Sequence, residues 1–357
     1  MGDLKDGYLE GLYEGEPYVS GEQPGAGAVK LNTNENPYLP APGVMKVLRE
    51  FGIGKLRLYP KQDGGALREA LADYHGVGKE NIFVGNGSDE VLAFAFKACF
   101  GTERPVFFPD VTYSFYPVWC RLFNIPFETK PLDENFLPDP QDYSDPNGGI
   151  VLCEPNAPTG IAAGEVVIKK IIQKNGGSSV IIIDEAYADF ADYSLIPYVA
   201  EAPNLLVTRS FSKGRSLAGV RVGYAVGSER LTRALTAAKD SFNSYPVDML
   251  AEALGASVVG DEAFYRQSLE RVLKTRGEAT ERLRALGFDV PDSKANFVFA
   301  GCGSAARARE IFEYLRDGGV YVRYFDAPRI DDRLRVSIGA PDEMEAFFAR
   351  LEGYLAL

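Results

Sequence analysis

Histidine is nearly absent from this chain, since only His75 occurs among its 357 residues. A lone histidine disfavours a zinc site and a Ser-His-Asp triad, because both need imidazole beside other ligands or partners. The surrounding Ala72-Asp73-Tyr74-His75-Gly76 instead predicts the last turn of a helix, where a basic side chain is favoured. We therefore expect no metal centre and no histidine-based hydrolase.

Cysteine is also scarce, and its four copies form no Cys-x-x-Cys pair. Cys99 and Cys153 lie in apolar runs and are predicted to be buried core thiols, while Cys120 and Cys302 stand far from them. The first six residues, Met1-Gly2-Asp3-Leu4-Lys5-Asp6, lack the basic start and apolar stretch of a signal peptide. Together these features predict a reducing, cytoplasmic compartment.

Three further absences limit the partners. No run of about 18 apolar residues occurs, so no membrane span is predicted. The formal net charge of −12 argues against a nucleic-acid partner, which needs clustered cations. No Gly-x-Gly-x-x-Gly follows the first predicted strand, which disfavours a nicotinamide-binding protein. A small anionic substrate is compatible with this charge, because a few arginines make a local positive pocket.

The apolar pattern predicts an α/β fold. The composition, 46% apolar and 25% charged, is that of a globular protein with room for two domains. Short runs that are apolar on both faces alternate with helical patterns, which predicts a mostly parallel sheet covered on both sides. The predicted strands are 82–84, 106–108, 150–153, 180–183, 205–207 and 222–226, and helices between them include 88–100, 164–174 and 229–238.

The pattern changes after Pro246, which predicts a smaller α+β domain. A long amphipathic helix fits residues 261–286 and is closed by Gly287. The shorter elements after it are strands at 296–299, 320–323 and 334–338 and helices at 305–317 and 342–355. We predict a large domain at 43–255, a small domain at 256–357, and an N-terminal arm at 1–42 that contributes to the small domain.

The stretch Ser210-Phe211-Ser212-Lys213, with Arg221 eight residues later, carries the strongest chemical signal. It follows the predicted strand at 205–207, and ligands of open α/β sheets bind beyond the carboxyl ends of the strands. Two hydroxyls and a guanidinium can hold a phosphate, and the lysine offers a nucleophilic amine beside it. A cofactor with both a phosphate and an aldehyde needs that combination, which indicates pyridoxal 5′-phosphate with Lys213 as its Schiff-base lysine.

Two other strand ends offer groups that suit the phosphate and the ring face of such a cofactor. Ser88 and Asp89 open a helix after Gly85-Asn86-Gly87, where backbone N–H groups favour an anion. Ser88 is also an ordinary N-cap, so this motif alone is weak. Tyr113, which follows the next strand, can stack on a planar ring, although core packing is the commoner role of a single tyrosine.

The remaining strand ends offer groups for the ring's heteroatoms. Two prolines and a glycine fix the turn 154–160 and hold the amide of Asn156. Asp184 ends a buried strand, where a carboxylate is costly unless it pairs with a cation such as a protonated pyridine nitrogen. Tyr187, three residues later, is placed to bond the ring oxygen. Agreement of five separate strand ends by accident is improbable.

On these residues the chain resembles the fold-type I PLP-dependent aminotransferases, which have an aspartate-aminotransferase-like fold. Asp184-Glu185-Ala186-Tyr187 and Ser210-Phe211-Ser212-Lys213 with Arg221 are specific for that superfamily. The histidinol-phosphate branch is indicated by further segments, which are Glu16-Pro17-Tyr18-Val19-Ser20-Gly21, Leu31-Asn32-Thr33-Asn34-Glu35-Asn36-Pro37, Leu58-Tyr59-Pro60, Gly87-Ser88-Asp89-Glu90, Pro155-Asn156-Ala157-Pro158-Thr159-Gly160 and Leu334-Arg335-Val336-Ser337.

The resemblance implies roles for individual residues. Lys213, Asp184 and Tyr187 are the catalytic group, and the cofactor phosphate is held by Ser210, Ser212, Arg221 and the backbone around Ser88 and Asp89. Tyr59 is expected to reach that phosphate from a partner subunit, which implies a homodimer with shared active sites. Arg323 and Arg335, helped by Tyr18, face the substrate phosphate, because guanidiniums donate paired hydrogen bonds.

The resemblance implies transfer of the amino group of histidinol phosphate to 2-oxoglutarate, which yields glutamate. Two alternatives on the same scaffold are an aromatic amino-acid aminotransferase and a threonine-phosphate decarboxylase. A non-catalytic sensor on this fold is disfavoured, because no added DNA-binding segment is visible. One departure concerns the turn 154–160, where Ala157 occupies the position that is usually asparagine, and Asn156 is expected to supply the amide instead.

Overall fold

A seven-stranded sheet forms the centre of the structure, a computed structural model that describes residues 13–357. Residues 1–12, which include the start of the predicted arm and the stretch used for the targeting prediction, lie outside the described residues. The strands of all three sheets in the described residues, numbered in chain order, are β1 (Val29–Lys30), β2 (Ile82–Gly85), β3 (Val106–Pro109), β4 (Phe127–Lys130), β5 (Gly149–Cys153), β6 (Ile181–Asp184), β7 (Leu205–Ser210), β8 (Gly223–Gly227), β9 (Phe297–Gly301), β10 (Val320–Tyr321), β11 (Arg323–Tyr324) and β12 (Arg333–Ser337).

The central sheet has the order β2-β8-β7-β6-β5-β3-β4. All of its pairings are parallel except those of β8, which runs antiparallel to β2 and β7. The predicted α/β class with a mostly parallel sheet is therefore confirmed. The helices are α1 (Gly43–Glu50), α2 (Gly65–His75), α3 (Ser88–Cys99), α4 (Phe115–Leu122), α5 (Glu165–Lys174), α6 (Glu229–Phe242), α7 (Met249–Val259), α8 (Glu262–Ala285), α9 (Ala305–Asp317) and α10 (Pro341–Leu355).

The sheet is buried on both faces because its strands are apolar at consecutive positions. In β6, Ile181 and Ile183 pack into a core with α1, α2, α5 and α7, while Ile182 packs into a second core with α3, α4 and α6. Alternate residues of a strand point to opposite faces, so an unbroken apolar run supplies both cores. The carboxyl end of β6, which is Asp184, is thereby held in a fixed place.

The C-terminal part forms a three-stranded antiparallel sheet, β11-β12-β9, with α8, α9 and α10. The N-terminal chain joins it, since β1 pairs with β10 in parallel and Leu31 packs in the same core. In the antiparallel sheet, β11 and β12 place Arg323 directly opposite Arg335. The fold thus brings residues 29–35, Arg323 and Arg335 close to the carboxyl ends of the central strands.

Three smaller expectations have clear outcomes. α2 ends at His75 as predicted, with Gly76 in the left-handed conformation (φ 65°). His75 Nε2 lies 2.9 Å from the Tyr224 hydroxyl, and burial lowers its pKa to about 4. Cys153 is buried as predicted, but Cys99 is only half-buried at the end of α3. Within residues 13–357, no helix combines the length and apolar character that a bilayer span requires.

Candidate active site

A cavity of about 490 Å³ lies at the carboxyl ends of the central strands, between them and the arginine-bearing sheet. Clefts of this size at this edge are typical small-molecule sites. Of the predicted site residues, those that line it are Tyr18, Ser88, Asp89, Tyr113, Asp184, Tyr187, Ser210, Ser212, Lys213, Arg221, Arg323 and Arg335. The two that do not are Tyr59 and Asn156.

One end of the cavity is built to hold an anion. α3 begins at Ser88, and the first N–H groups of a helix have no partner within it. Two glycines allow close approach there: a Cβ on Gly223 would lie 2.3 Å from the Ser88 nitrogen, and one on Gly87 would lie 2.5 Å from Arg221 Nη2. A side chain at Gly223 would push β8 away from the start of α3, and a side chain at Gly87 would displace the Arg221 guanidinium.

Arg221 brings its positive charge to this helix start from an unusual backbone conformation, with φ of 59°. Its guanidinium lies 3.2 Å from Asp89 Oδ2 and 3.5 Å from Ser212 Oγ. The Ser210 hydroxyl accepts a hydrogen bond of 3.1 Å from the Ser212 backbone N–H. Two hydroxyls, a guanidinium and free backbone N–H groups therefore converge, which suits a phosphate.

Lys213 projects into the middle of the cavity. Its amine donates a hydrogen bond of 2.9 Å to the Thr33 carbonyl oxygen. Burial lowers the pKa of Lys213 to about 8, and the positive charge of Arg335 acts in the same direction. About a tenth of the amine is consequently uncharged at pH 7, and this uncharged form is the one that acts as a nucleophile or a base.

Asp184 is almost fully enclosed at the end of β6. It accepts hydrogen bonds from the Tyr116 hydroxyl (2.9 Å) and the Ala186 backbone N–H (3.2 Å). Burial nonetheless raises the pKa of Asp184 to about 6. Because the carboxylate has no cationic partner among the described residues, a positively charged ring nitrogen in the cavity would stabilise its ionised form.

Aromatic side chains form a wall of the cavity. The Tyr113 hydroxyl donates a hydrogen bond of 2.9 Å to Asp89 Oδ1, and burial raises its pKa well above the usual range. Tyr18, from the N-terminal chain, stacks on Phe115 with ring centroids 4.3 Å apart. These contacts fix flat apolar surfaces beside the anion-binding end.

Arg323 and Arg335 stand side by side because they are partners across β11 and β12. Arg335 donates a hydrogen bond of 2.9 Å to the Asn32 carbonyl, but its buried Nε atom has no partner within residues 13–357. Burial lowers the pKa of Arg335, and Arg323 adds to this effect. Arg323 donates to the carbonyls of Ser20 (3.0 Å) and Val19 (2.8 Å). Two adjacent guanidiniums with an unsatisfied buried donor favour an anionic ligand.

The position of Asn156 differs from the expectation. Both hydrogens of its amide are used inside the turn, one to the Val111 carbonyl (3.0 Å) and one to Thr159 Oγ1 (3.1 Å). Its side-chain oxygen accepts from Thr112 Oγ1 at 3.0 Å. Ala157, not Asn156, lines the cavity, so no asparagine amide from this turn reaches it.

Tyr59 lies outside the cavity of its own chain. It is 79% exposed and stacks on Tyr245 with ring centroids 4.7 Å apart. This location leaves open the expected contribution to another subunit.

Several residues that contact the functional side chains were not predicted from the sequence. Asn32, Thr33 and Asn34 contact functional side chains, although the sequence shows them only as part of a family motif without roles. A run of amide and hydroxyl side chains before Glu35 was the available signal. Tyr116, which bonds Asp184, lies in an apolar run where nothing distinguishes it from a core tyrosine.

The groups in the cavity fit pyridoxal phosphate. They comprise an anion site at the start of α3, a buried amine, a buried carboxylate that lacks a cation, and aromatic walls. Each of these corresponds to one part of that cofactor, namely its phosphate, aldehyde, ring nitrogen and ring face. Within residues 13–357, no group of acidic, cysteine or histidine side chains is arranged to hold a metal ion.

Comparison with known proteins agrees with this chemistry. The family model for class I and II aminotransferases matches residues 26–351, and the chain belongs to this family. Histidinol-phosphate aminotransferase of Chromohalobacter salexigens is 48% identical over 336 residues, which cover 94% of this chain and 95% of that protein. The enzyme of the same name from Lactococcus lactis subsp. lactis is 44% identical over 340 residues, with coverages of 95% and 94%. The predicted family resemblance is confirmed.

Solved structures show the same fold. The crystal structure of histidinol-phosphate aminotransferase from Sinorhizobium meliloti, in complex with pyridoxal-5′-phosphate, superposes with a TM-score of 0.83 at 23% identity. The superposition covers 90% of this chain and 89% of that one.

Proposed function

We propose that this protein is a PLP-dependent enzyme of histidine biosynthesis, which transfers the amino group of histidinol phosphate to 2-oxoglutarate. The observation that carries the proposal is the pairing of Arg323 with Arg335 in the cavity that also holds Lys213. One end of the cavity thus suits the cofactor phosphate, and two further guanidiniums remain for a second phosphate. The names of the relatives at 48% and 44% identity support this choice of substrate.

Each side chain has a defined part in cofactor binding. Ser210, Ser212 and Arg221, with the N–H groups at Ser88 and Asp89, would hold the phosphate. Asp184 would keep the ring nitrogen protonated, Tyr187 would donate to the ring oxygen, and Tyr113 would cover the ring face. When bound, pyridoxal phosphate supplies an electron sink for the substrate's α-carbon.

The proton transfer belongs to Lys213. As the free amine it would take the proton from the α-carbon of the substrate, hold it as the ammonium, and give it up again in the second proton transfer. Its lowered pKa makes the uncharged, basic amine accessible just above neutral pH, because burial disfavours the ammonium form. The Thr33 carbonyl, 2.9 Å away, orients the amine.

Substrate selection belongs to Arg323, Arg335 and Tyr18. The two guanidiniums bind the phosphate of histidinol phosphate in the first half-reaction. Arg335 binds a carboxylate of 2-oxoglutarate in the second, which yields glutamate. Of the alternatives, neither an aromatic amino-acid aminotransferase nor a threonine-phosphate decarboxylase is favoured by the relatives.

We further propose a homodimer in which Tyr59 completes the phosphate site of the partner subunit. Large apolar side chains cluster in sequence near Tyr59 and are strongly exposed in the single chain, which marks an interaction surface. They are Ile53 (83% exposed), Leu56 (66%) and Leu58 (53%).

The organisation proposed for the chain is a large cofactor-binding domain at 43–255, a small domain at 256–357, and an N-terminal arm at 1–42 that forms part of the small domain. The pairing of β1 with β10 supports the assignment of the arm to the small domain. We place the protein in the cytoplasm, which its four free cysteines support.

Purified holoenzyme mixed with histidinol phosphate and 2-oxoglutarate should produce glutamate. Phosphothreonine and phenylalanine serve as competing substrates, and carbon dioxide is measured with the former. Release of carbon dioxide without glutamate would instead identify the decarboxylase, and faster turnover of phenylalanine would identify the aromatic aminotransferase.

The variant Arg323→Gln should raise the KM for histidinol phosphate by about 10- to 100-fold, because a charged hydrogen-bond pair to the phosphate is lost. Arg266→Gln, an exposed arginine on α8 that pairs with Glu262, is the matched control and should leave KM unchanged. Equal KM values in both variants would show that Arg323 does not bind the substrate phosphate.

A further inference from the structure

Three consecutive residues of the N-terminal chain touch three of the groups assigned to the reaction. The Asn32 carbonyl accepts a hydrogen bond from Arg335, and the Thr33 carbonyl accepts one from Lys213, each at 2.9 Å. The side chain of Asn34 donates a hydrogen bond of 3.0 Å to the Tyr187 hydroxyl oxygen. The segment 32–34 is therefore part of the site's framework.

The hydrogen bonds around Asn34 have only one consistent direction. The Asn34 backbone N–H donates to Ser337 Oγ at 2.9 Å, so that oxygen acts as an acceptor. The single Ser337 hydroxyl proton is then donated to Asn34 Oδ1 at 2.8 Å. This fixes the amide orientation and turns its NH₂ group towards Tyr187.

The consequence falls on the proton of Tyr187. Because its oxygen accepts from the Asn34 amide, its own O–H cannot be donated back to that group. The hydroxyl proton is left to point into the cavity that Tyr187 lines. A tyrosine held in this way is a hydrogen-bond donor to whatever oxygen lies there.

The framework that holds this chain of bonds is rigid. Asn34 is 1% exposed and has φ of 57°, a left-handed conformation that asparagine tolerates better than most residues. Asn296 donates a hydrogen bond of 2.9 Å to the Asn34 carbonyl. Ser337 lies on β12 two residues after Arg335, so the same strand positions both the anion-binding arginine and this hydroxyl.

The direction of the hydrogen bond between Asn34 and Tyr187 matters because the turn 154–160 offers no amide to the cavity. Ala157 faces the cavity, and both amide hydrogens of Asn156 are used within the turn. Tyr187 is thus the predicted donor to the ring oxygen that has no asparagine amide from this turn beside it.

We propose that Asn34 and Ser337 are positioning residues, which fix Tyr187 as a hydrogen-bond donor to the cofactor's ring oxygen. The inference rests on the proposed function only in that it requires pyridoxal phosphate in this cavity. It does not depend on which amino donor the enzyme accepts.

Two variants test the direction of the chain. In Asn34→Asp the group that faces Tyr187 is a carboxylate oxygen, which accepts the tyrosine proton and turns it away from the cavity. In Ser337→Ala the amide loses the hydroxyl that fixes its orientation, without any change in charge. Either change should weaken binding of pyridoxal phosphate to the apoenzyme, by about tenfold for the aspartate.

A spectroscopic titration separates positioning from general damage. A hydrogen-bond donor at the ring oxygen would draw electron density away from the Lys213 nitrogen that is joined to the cofactor. The proton affinity of this nitrogen would therefore be lower. Loss of the donor should therefore move the midpoint of the bound cofactor's pH-dependent absorbance change to higher pH in both variants. The aspartate variant should show the larger shift.

Asn175→Asp is the matched control, since Asn175 is also buried (3% exposed) and donates to the carbonyls of Tyr143 (2.9 Å) and Ile171 (3.0 Å), outside the cavity lining. It should lower the melting temperature without moving the midpoint. A wild-type midpoint and cofactor affinity in both Asn34→Asp and Ser337→Ala would overturn the inference, as would an equal shift in the control.

The two proposals fail in distinguishable ways. An enzyme that binds pyridoxal phosphate and shows the midpoint shifts, but makes no glutamate from histidinol phosphate, would refute the proposed substrate and leave the inference intact. Normal turnover with unmoved midpoints would refute the inference alone.

Discussion

Lys213 shows how much of the site depends on the surroundings of one amine. The ammonium form is disfavoured first by burial and then by the positive charge of Arg335, and the resulting pKa is about 8. The same arginine is proposed to bind the substrate anion. A bound anion would offset that charge, so substrate binding and the basicity of Lys213 are electrostatically linked.

The rate at which apoenzyme attaches pyridoxal phosphate should therefore rise with pH through a midpoint near 8, because only the uncharged amine attacks the aldehyde. Arg335→Gln removes the nearby positive charge, so the pKa of Lys213 and this midpoint should both increase. The rate is followed by the appearance of the cofactor–lysine absorbance.

Arg333→Gln, on the same strand, is the control and should leave the midpoint unchanged, and Lys213→Ala should show no such absorbance at any pH. An unchanged or lower midpoint in Arg335→Gln would contradict the electrostatic argument.

The sequence identified the groups that lie at strand ends, but it did not identify their supports. Asp184 was predictable because a carboxylate at the end of a buried strand needs a cationic partner. Lys213 and Arg221 were predictable because an amine, a guanidinium and two hydroxyls close together in sequence suit a cofactor with a phosphate and an aldehyde. Asn34 and Tyr116 support Tyr187 and Asp184 across 153 and 68 residues of sequence. Such contacts depend on tertiary packing and leave no local pattern.

At the level of elements, the buried strands of the central sheet were predictable, including the edge strand β2, and the exposed edge strand β4 was not. β6 is entirely buried, whereas β4 (Phe127–Lys130) has Glu128 and Thr129 exposed and pairs on one side only, with β3. An edge strand needs little apolar surface, so its pattern is weak. α4 was likewise hidden, because Pro117 interrupts an aromatic run, although proline is tolerated in the first turn of a helix.

Glu154 joins β5 to the turn that presents Ala157 and to the start of α5. It accepts hydrogen bonds from the backbone N–H groups of Ala163 (3.1 Å) and Gly164 (3.3 Å) and from the Tyr193 hydroxyl. Burial outweighs these bonds and raises its pKa to about 7. The fold therefore favours the protonated acid.

Stability from Glu154 should be fully present below pH 4.5, the usual pKa of the group, and should be lost as the pH rises through about 7. Glu154→Gln mimics the protonated acid at every pH. The free energy of unfolding of this variant, relative to wild type, should thus increase between pH 5 and pH 8.5, by on the order of 2 kcal/mol.

Denaturant unfolding at the two pH values measures this difference. Glu313→Gln, an exposed carboxylate on α9, is the control and should show no such trend. A variant that loses stability relative to wild type as the pH rises would show that Glu154 is not protonated in the fold.

At the scale of the whole molecule, the single chain leaves an apolar surface without a partner. Ile53, Leu56 and Tyr59 are 83%, 66% and 79% exposed, which is unusual for large apolar side chains so close together in sequence. The sequence alone did not reveal this surface, because its residues resemble any apolar segment until the fold shows which of them are covered. Their exposure is explained if a second copy of the chain packs there.

A hybrid of two defective chains tests whether Tyr59 acts in the partner's site. Tyr59→Ala should weaken cofactor binding about tenfold, because a hydrogen bond to the phosphate is lost. When Tyr59→Ala is refolded with differently tagged Lys213→Ala, the Lys213→Ala chain supplies Tyr59 to the site that retains Lys213. That one site should bind pyridoxal phosphate with wild-type affinity, as measured by absorbance titration of the purified hybrid, and sedimentation should give the mass of two chains.

Tyr245→Ala, which removes the residue stacked on Tyr59 within its own chain, separates loss of orientation from loss of the hydroxyl and should weaken binding less than Tyr59→Ala. A hybrid whose remaining site binds as weakly as Tyr59→Ala itself would show that Tyr59 does not reach across, and a single-chain mass would refute the dimer.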